Sequence, residues 1–406
     1  MKAIPQILHA TLLMLALNAR GALELPDPPP LKIRPQTIDD QIQIGYGLAI
    51  ADVDGDGKED ILLADQKEIV WYQNPTWAKH RMTGALTPKD HVCIAARDID
   101  NDGRAEVAVG AEWNPGDTRT SGAVFYLVAP TDRTKEWEPI KLPHEPTVHR
   151  MHWVRDHKDR FYLAVLPLHG RGNQNGEGEG VRLMGYFRPP DPHGVWETFL
   201  LNDAFHVTHN FQPVRWDSPD YGEELLIATK EGVQILGWEE EQWKTVQVTT
   251  NATGEVRTGK LPSGRRFVTS IEPFHGNELI VNTPSTTMLR KLSWTQYRVV
   301  LDDALIQGHA LAVGDVLGLG WDQVVAGWRG PIPMREGVEV GIKLFAPTDK
   351  RGYGWKLAGV VDANTMACED LRLADLNQDG KLDIIACGRA TKNVIIYWNE
   401  TPPWKP

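Results

Sequence analysis

The sequence predicts an all-β chain folded as a single seven-bladed β-propeller, and three observations lead there. A nine-residue loop design occurs three times, as Asp52-Val-Asp-Gly-Asp-Gly-Lys-Glu-Asp60, Asp98-Ile-Asp-Asn-Asp-Gly-Arg-Ala-Glu106 and Asp375-Leu-Asn-Gln-Asp-Gly-Lys-Leu-Asp383. Each copy stands between short runs of β-formers, such as Leu48-Ala-Ile-Ala before the first and Ile61-Leu-Leu-Ala after it, so the loop reads as a hairpin turn. With 28 prolines, 37 glycines and no helical period of any length, nothing in the chain competes with strands.

Worn copies of the loop complete the count. They are Arg155-Asp-His-Lys-Asp before Phe161, Arg215 to Glu224 before Leu225, Pro273-Phe-His-Gly-Asn-Glu278 before Leu279, and Asp315-Val-Leu-Gly-Leu-Gly320 before Val324. From position 52 to position 375 the six intervals average about 54 residues, the length of one four-stranded blade with its connections. A third strand with an aromatic often follows the hairpin, as in Ile69-Val-Trp-Tyr and Val394-Ile-Ile-Tyr-Trp. A fourth often begins at tryptophan, as at Trp243 and Trp355. The last unit runs out after Tyr397, and an unassigned strand, Leu31-Lys-Ile-Arg-Pro-Gln-Thr-Ile38, stands before the first. It is expected to complete blade seven and remove the open edge.

The loops suit a hard cation. Asp52, Asp54, Asp56 and Asp60 occupy positions 1, 3, 5 and 9 of the first; Asp98, Asp100, Asp102 and Glu106 those of the second; Asp375, Asn377, Asp379 and Asp383 those of the third. Alternate oxygen donors with a glycine at position 6 fit structural Ca²⁺. An EF-hand would need an acid at position 12, where Leu63, Val109 and Ala386 stand instead. Plain Asp/Gly turns are the simpler reading, and three copies with one ligand register argue against it.

At this point the sequence resembles the FG-GAP or VCBS repeats of integrin-type propellers, over residues 31 to about 400. The resemblance implies the fold and calcium; it leaves function open among adhesion, ligand binding and enzymology.

Composition narrows the classes. Residues 1–21 read as a secretory signal, with Lys2, an apolar run from Ile7 to Leu17 and small residues at Ala19 and Gly21, so residues 22–406 are expected as one secreted or periplasmic domain. No later stretch is long and apolar enough for a membrane span. Losing Lys2 and Arg20 takes the formal charge from −11 to −13. Eleven carboxylates sit at the loop ligand positions, so much of that acidity belongs to metal sites. No basic run suggests nucleic acid. Cys93 and Cys387 lie in apolar strands and are expected as buried free thiols.

Candidate chemistry lies six residues before each loop. That position is Tyr46, Val92 with His91 beside it, His149, His209, an undetermined residue in the fifth blade, His309 and Glu369. Six strand residues span about 20 Å, which puts these side chains at the channel mouth opposite the calcium loops. Imidazole serves as base, proton donor or transition-metal ligand. His206 and His209 have a spacing that could share a second divalent ion such as Zn²⁺. A single histidine is more often structural; a set at one radial position loads one cavity. Arg150 and Arg329 could hold a carboxylate or sugar oxygens, or equally serve as interblade ion-pair partners. The Gly-rich segment from Leu168 to Gly180, which carries His169, reads as a mobile loop. Blade packing accounts for most of the 15 tryptophans, leaving Trp153 and Trp328 for stacking on a sugar.

Three phrases, Gly308-His-Ala-Leu, Val324-Val-Ala-Gly-Trp-Arg-Gly and Ile271-Glu-Pro-Phe-His-Gly-Asn-Glu, resemble the propeller part of aldos-2-ulose dehydratase and its bacterial relatives. That resemblance implies metal-assisted elimination of water from a keto sugar. The expectation is therefore a metal-dependent carbon–oxygen lyase on carbohydrate. His149, His209, His309, Arg329 and Tyr46 would be catalytic, with His91, Arg150, His169, His275 and Glu369 around the substrate. The alternative is a non-catalytic, calcium-stiffened propeller that binds a glycan or protein partner. Nothing in the sequence sets an oligomeric state.

Overall fold

The computed structural model describes residues 24–216, 222–284 and 297–405. The signal-peptide expectation for residues 1–21 and part of the Arg215–Glu224 turn lie outside them. The first strand, β1, is Ile33–Asp39. Blade one is then β2 (Gly47–Ala51), β3 (Asp60–Ala64), β4 (Ile69–Gln73) and β5 (Ala78–Thr83), and blade two is β6 (Cys93–Arg97), β7 (Glu106–Ala111), β8 (Ala123–Val128) and β9 (Glu138–Leu142). Blade three is β10 (Val148–Arg155), β11 (Phe161–Pro167), β12 (Leu183–Phe187) and β13 (Glu197–Asn202); blade four is β14 (Thr208–Val214), β15 (Glu224–Thr229), β16 (Gly232–Glu239) and β17 (Gln242–Gln247). Blade five is β18 (Glu255–Lys260), β19 (Arg266–Glu272), β20 (Glu278–Thr283) and β21 (Tyr297–Asp302), and blade six is β22 (Gly308–Gly314), β23 (Gln323–Trp328), β24 (Gly341–Pro347) and β25 (Trp355–Ala363). Blade seven is β26 (Cys368–Ala374), β27 (Asp383–Gly388) and β28 (Asn393–Asn399), with β1 running antiparallel to β28 as its fourth strand.

Six sheets are antiparallel meanders, the seventh is a three-stranded meander completed by β1, and the innermost strands β2, β6, β10, β14, β18, β22 and β26 each touch the next around a closed ring. Among the described residues seven apolar clusters form, one at each blade interface. The second strands are buried along most of their length, for example all five residues of β3, because they are packed between neighbouring blades on both faces. Cys93, Cys368 and Cys387 are buried and free in these interfaces. Trp153 and Trp328 belong there as well. Both are buried and donate their indole N–H to the carbonyls of Glu106 and Glu339, which corrects their expected role as sugar platforms.

Blade five corrects the repeat assignment. Its inner hairpin is the short turn 261–265 between β18 and β19, while Pro273 to Asn277 joins β19 to β20 at the opposite end of the sheet. The stretch read as a worn calcium loop is therefore a loop of the other mouth, and it brings His275 there.

Candidate functional site

Four inner strands break register at the position singled out by the sequence. Pairing with the second strand slips at His149, at His209 with Asn210, at His309 and at Glu369. The first two blades and the fifth keep regular pairing there. A bulge frees one residue from the ladder and re-aims its side chain, so the histidine blades are the ones whose backbone is bent to present a group to the channel.

The imidazoles are then fixed by carbonyls of the next blade. His149 Nδ1 lies 2.7 Å from the His209 carbonyl, His209 Nδ1 3.1 Å from the Gly254 carbonyl, and His309 Nδ1 2.6 Å from the Glu369 carbonyl. A carbonyl only accepts, so each Nδ1 carries the proton and each Nε2 keeps its lone pair. His209 Nδ1 also donates to Glu255 Oε1 at 3.0 Å, and Glu255 Oε2 accepts from Asn210 at 2.6 Å. Glu255 is the residue that fills the undetermined fifth-blade position. It stands six residues before Leu261, the register of the other ring residues, and the spacing does not reveal it because the 261–265 turn carries none of the loop's acids.

His209, His275 and His309 converge, each offering a ring nitrogen within 4.8 Å of the others. His275 Nε2 faces His209 Nε2 at 2.7 Å, and its ring lies 4.8 Å from that of His309. A proton on His275 Nε2 satisfies the lone pair of His209 at this distance, and a divalent cation does the same by replacing it. Burial holds His209 and His309 well below the usual imidazole value, followed by the Arg150 guanidinium for His209 and that of Arg329 for His309. Burial, and then His209, lower His275 likewise. His275 Nδ1 faces Arg329 Nη2 at 3.5 Å, so His275 Nε2 carries the proton shared with His209. A transition-metal ion displacing that proton would meet neutral imidazoles, and the carboxylate behind His209 is the outer support such ligands usually have.

Other expected residues sort around this triad. His149 is buried and packs on the half-buried Trp113 ring at 4.9 Å; its Nε2 receives a long, 3.3 Å bond from Arg150. Arg329 Nη1 reaches both oxygens of Glu369, at 2.9 and 2.8 Å, and Arg389 adds a third bond at 3.1 Å. Arg389 also lies over the Tyr46 ring at 5.1 Å, and the Tyr46 hydroxyl donates to Asp90 at 3.2 Å. Burial pushes that phenol up to about 12, Asp90 adding to the rise and Arg389 opposing it. Tyr46 therefore holds its proton at neutral pH.

Three expectations are corrected. His206, on the connection from blade three to blade four, turns to Glu231 at 2.8 Å and is not among the histidines that converge with His209. His91 is fully buried, with both ring nitrogens on backbone groups, Asp65 O and Leu86 N–H, so it is structural. The Gly-rich segment is pinned: Gly172 N–H bonds the Thr118 carbonyl, and Asn173 bonds the carbonyls of Glu179 and His206. His169 lies within it, outside the triad, with Nδ1 buried and unpartnered. Arg389 was missed, although it follows Asp375 by the same fourteen residues that separate Arg329 from Asp315.

At the opposite face the loops show which carboxylates shape the turn. Asp52, Asp98 and Asp375 each accept from the glycine at position 6, and Asp60, Glu106 and Asp383 each accept from the N–H at position 2. In the blade-six loop, which lacks acids at positions 3 and 5, Asp315 makes the same bond to Gly320, while Gln323 at position 9 reaches the position-3 N–H of Leu317. That loop buries Leu317 and Leu319 at positions 3 and 5, whereas Asp54 accepts from the Asp56 N–H at 3.2 Å and from Gln73 Nε2 at 2.6 Å. Asp52, Asp54 and Asp60 bring oxygens together, as do Asp98, Asp100 and Glu106, the donor set of a hard cation. Asp56 instead turns to Lys58 at 2.7 Å. Burial raises Asp60 and Glu106 to about 7 and Asp383 to about 6.

An FG-GAP-like repeat model matches residues 52–109, which contain the first two of these loops. No curated protein matches the chain. Solved propellers do. The Myceliophthora thermophila Cps50 (Swd1) β-propeller domain superposes with a TM-score of 0.54 at 12% identity, covering 90% of this chain and 99% of that one. BBS1N, solved in complex with ARL6DN, gives 0.54 at 12% over 92% and 98%. Kuenenia stuttgartiensis hydrazine synthase gives 0.51 at 10% over 89% and 97%. At such identities the likeness is one of fold. The chain is thus a seven-bladed β-propeller whose residues 52–109 carry an FG-GAP-like repeat.

Proposed function

We propose that the protein is an exported, metal-dependent carbon–oxygen lyase acting on a keto sugar or related carbohydrate at the histidine mouth, with calcium in the hairpin loops. One observation carries the reading: the bulges and the carbonyls of neighbouring blades leave lone pairs on His209 and His309 converging beside His275. A divalent ion such as Zn²⁺ held there would polarise a substrate carbonyl and acidify the adjacent C–H.

The remaining groups supply the other roles. His149 is the imidazole left with a lone pair outside the triad, and it takes the proton once Arg150 is drawn to the substrate oxygen. Tyr46, protonated and oriented by Asp90, donates to the departing hydroxyl or glycosidic oxygen. Arg329 and Arg389 hold Glu369 as a fixed acceptor for sugar hydroxyls, and the half-buried Trp113 offers a stacking face.

The test is turnover of a panel of keto sugars and oxidised glycosides, followed by the ultraviolet absorbance of the enone formed. The parent should turn over at least one of them. His309→Ala should lose on the order of 100-fold or more in rate. Absence of turnover on every carbonyl sugar, with glycan or protein binding at this mouth instead, would overturn the lyase reading in favour of a binding propeller.

A further inference from the structure

Below the histidine mouth, the inner strands of blades three to seven line a cavity of about 220 Å³. Its polar lining is Arg257, Arg372, His152 and Gln212; the rest is Phe211 and aliphatic residues of β22 and β26, with no carboxylate among them. Arg257 is 9% exposed, yet it makes a single hydrogen bond, from Nη1 to the Val256 carbonyl at 2.6 Å. Arg372 bonds through Nη1 alone, to Asp370 at 2.5 Å and to the Leu371 carbonyl at 2.8 Å. Nε and Nη2 of both arginines, and the amide nitrogen of Gln212, have no hydrogen-bond partner among the described residues.

The two carboxylates behind this lining are already engaged by the channel wall. Glu255 takes bonds from His209 and Asn210 on its two oxygens and lies 3.9 Å from Arg257 Nη2, beyond hydrogen-bond reach. Asp370 takes the Leu48 and Leu371 N–H groups besides Arg372. Arg150 adds a third guanidinium that acts on both Arg257 and His152. Burial, and then Arg372 and Arg257, hold His152 down to about 3, so its ring is neutral. Arg150, Arg257 and Arg372 are thus balanced only by Glu255 and Asp370, and the cavity carries an excess of positive charge.

We infer that this cavity binds one small oxyanion of the carboxylate or phosphate class. The Nε–H and Nη2–H of a guanidinium form a planar fork that matches two oxygens of such a group, and Arg257 and Arg372 both keep that edge unbonded. A cation would meet two guanidiniums and no carboxylate in the lining. A neutral ligand would leave the excess charge buried and uncompensated. Chloride matches the charge but offers one acceptor atom where a fork takes two. The inference uses neither the lyase reading nor a metal at the histidine mouth, and stands or falls independently of both.

The experiment is calorimetric titration of the full chain with the sodium salts of formate, acetate, phosphate and chloride in a zwitterionic buffer. At least one oxyanion should bind saturably and more tightly than chloride, and formate or acetate against phosphate tells the two sources apart. Arg257→Gln and Arg372→Gln should each weaken it on the order of ten-fold or more. Arg257→Lys, which keeps the charge and loses the fork, should weaken it too. The same oxyanion should raise the melting temperature of the parent and leave that of Arg372→Gln unmoved, a readout that survives if Arg257→Gln fails to fold. Binding should persist in phenanthroline, which strips a transition metal and spares calcium. No saturable binding of any oxyanion overturns the proposal, as does affinity unchanged by the glutamine substitutions or chloride bound as tightly as the oxyanions. Binding lost in phenanthroline would put the anion on a metal at the histidine mouth and overturn it as well.

Discussion

At the scale of single residues, the candidate site rests on which imidazole nitrogen carries the proton. His209 is the most firmly fixed of the set, because a carbonyl and a carboxylate both take its Nδ1–H. Glu255 touches no channel ligand position itself; it orients His209 and enriches its Nε2. Burial raises the Glu255 carboxyl, yet its bonds from His209 and Asn210 keep it useful as an acceptor. Glu255→Gln preserves shape and removes the charge. It should weaken binding of a divalent transition metal about ten-fold or more while leaving calcium content unchanged. Equal metal affinity in the variant would show that His209 needs no carboxylate behind it, and the positioning role would fail.

At the scale of elements, the blade-six loop is an internal control for the calcium loops. Its side-chain acceptors are Asp315 and Gln323, and Val316, Leu317 and Leu319 are buried in the cluster between blades six and seven, so apolar packing stands there in place of the acids at positions 3 and 5. Where they are present they add like charges near buried carboxylates, which the proposed calcium ion would offset. On the proposed calcium reading the parent should melt higher in calcium than in chelator, and Asp54→Asn with Asp100→Asn should erase that rise. The chelated variant should melt no lower than the chelated parent. A chelated variant that melts well below the chelated parent would mean that these carboxylates hold the turn itself. The same comparison explains what the sequence made legible. Strand, turn and blade spacing were readable because the loop design repeats, and the ring residues were readable because they keep a fixed distance from it. Glu255 and the role of His275 were hidden by one misplaced turn, since 261–265 retains none of the loop's acids. The partner choices of His206 and His91, and the burial of Trp153 and Trp328, depend on neighbouring blades. No local spacing encodes those contacts.

At the scale of the molecule, the ring is held by seven apolar interfaces and by the pairing of β1 with β28. Ile33 and Leu31 also pack on the cluster between blades six and seven, so the segment adds burial as well as backbone bonds. Deleting residues 24–39 should expose the β28 edge and cause aggregation or loss of the soluble protein, measured by size-exclusion chromatography. A soluble truncation with the parent's melting temperature would show that blade seven is stable with three strands.

Because the blades converge only at the channel, a site built from blades four, five and six exists only in the closed ring. The most direct test of its proposed role is elemental analysis of the intact protein. The account predicts one transition-metal ion per chain in addition to calcium. That ion should be lost on combined substitution of His209, His275 and His309 by alanine, and kept when Asp54 and Asp100 are changed. Calcium alone in the parent, or full retention of the transition metal in the triple variant, would contradict it.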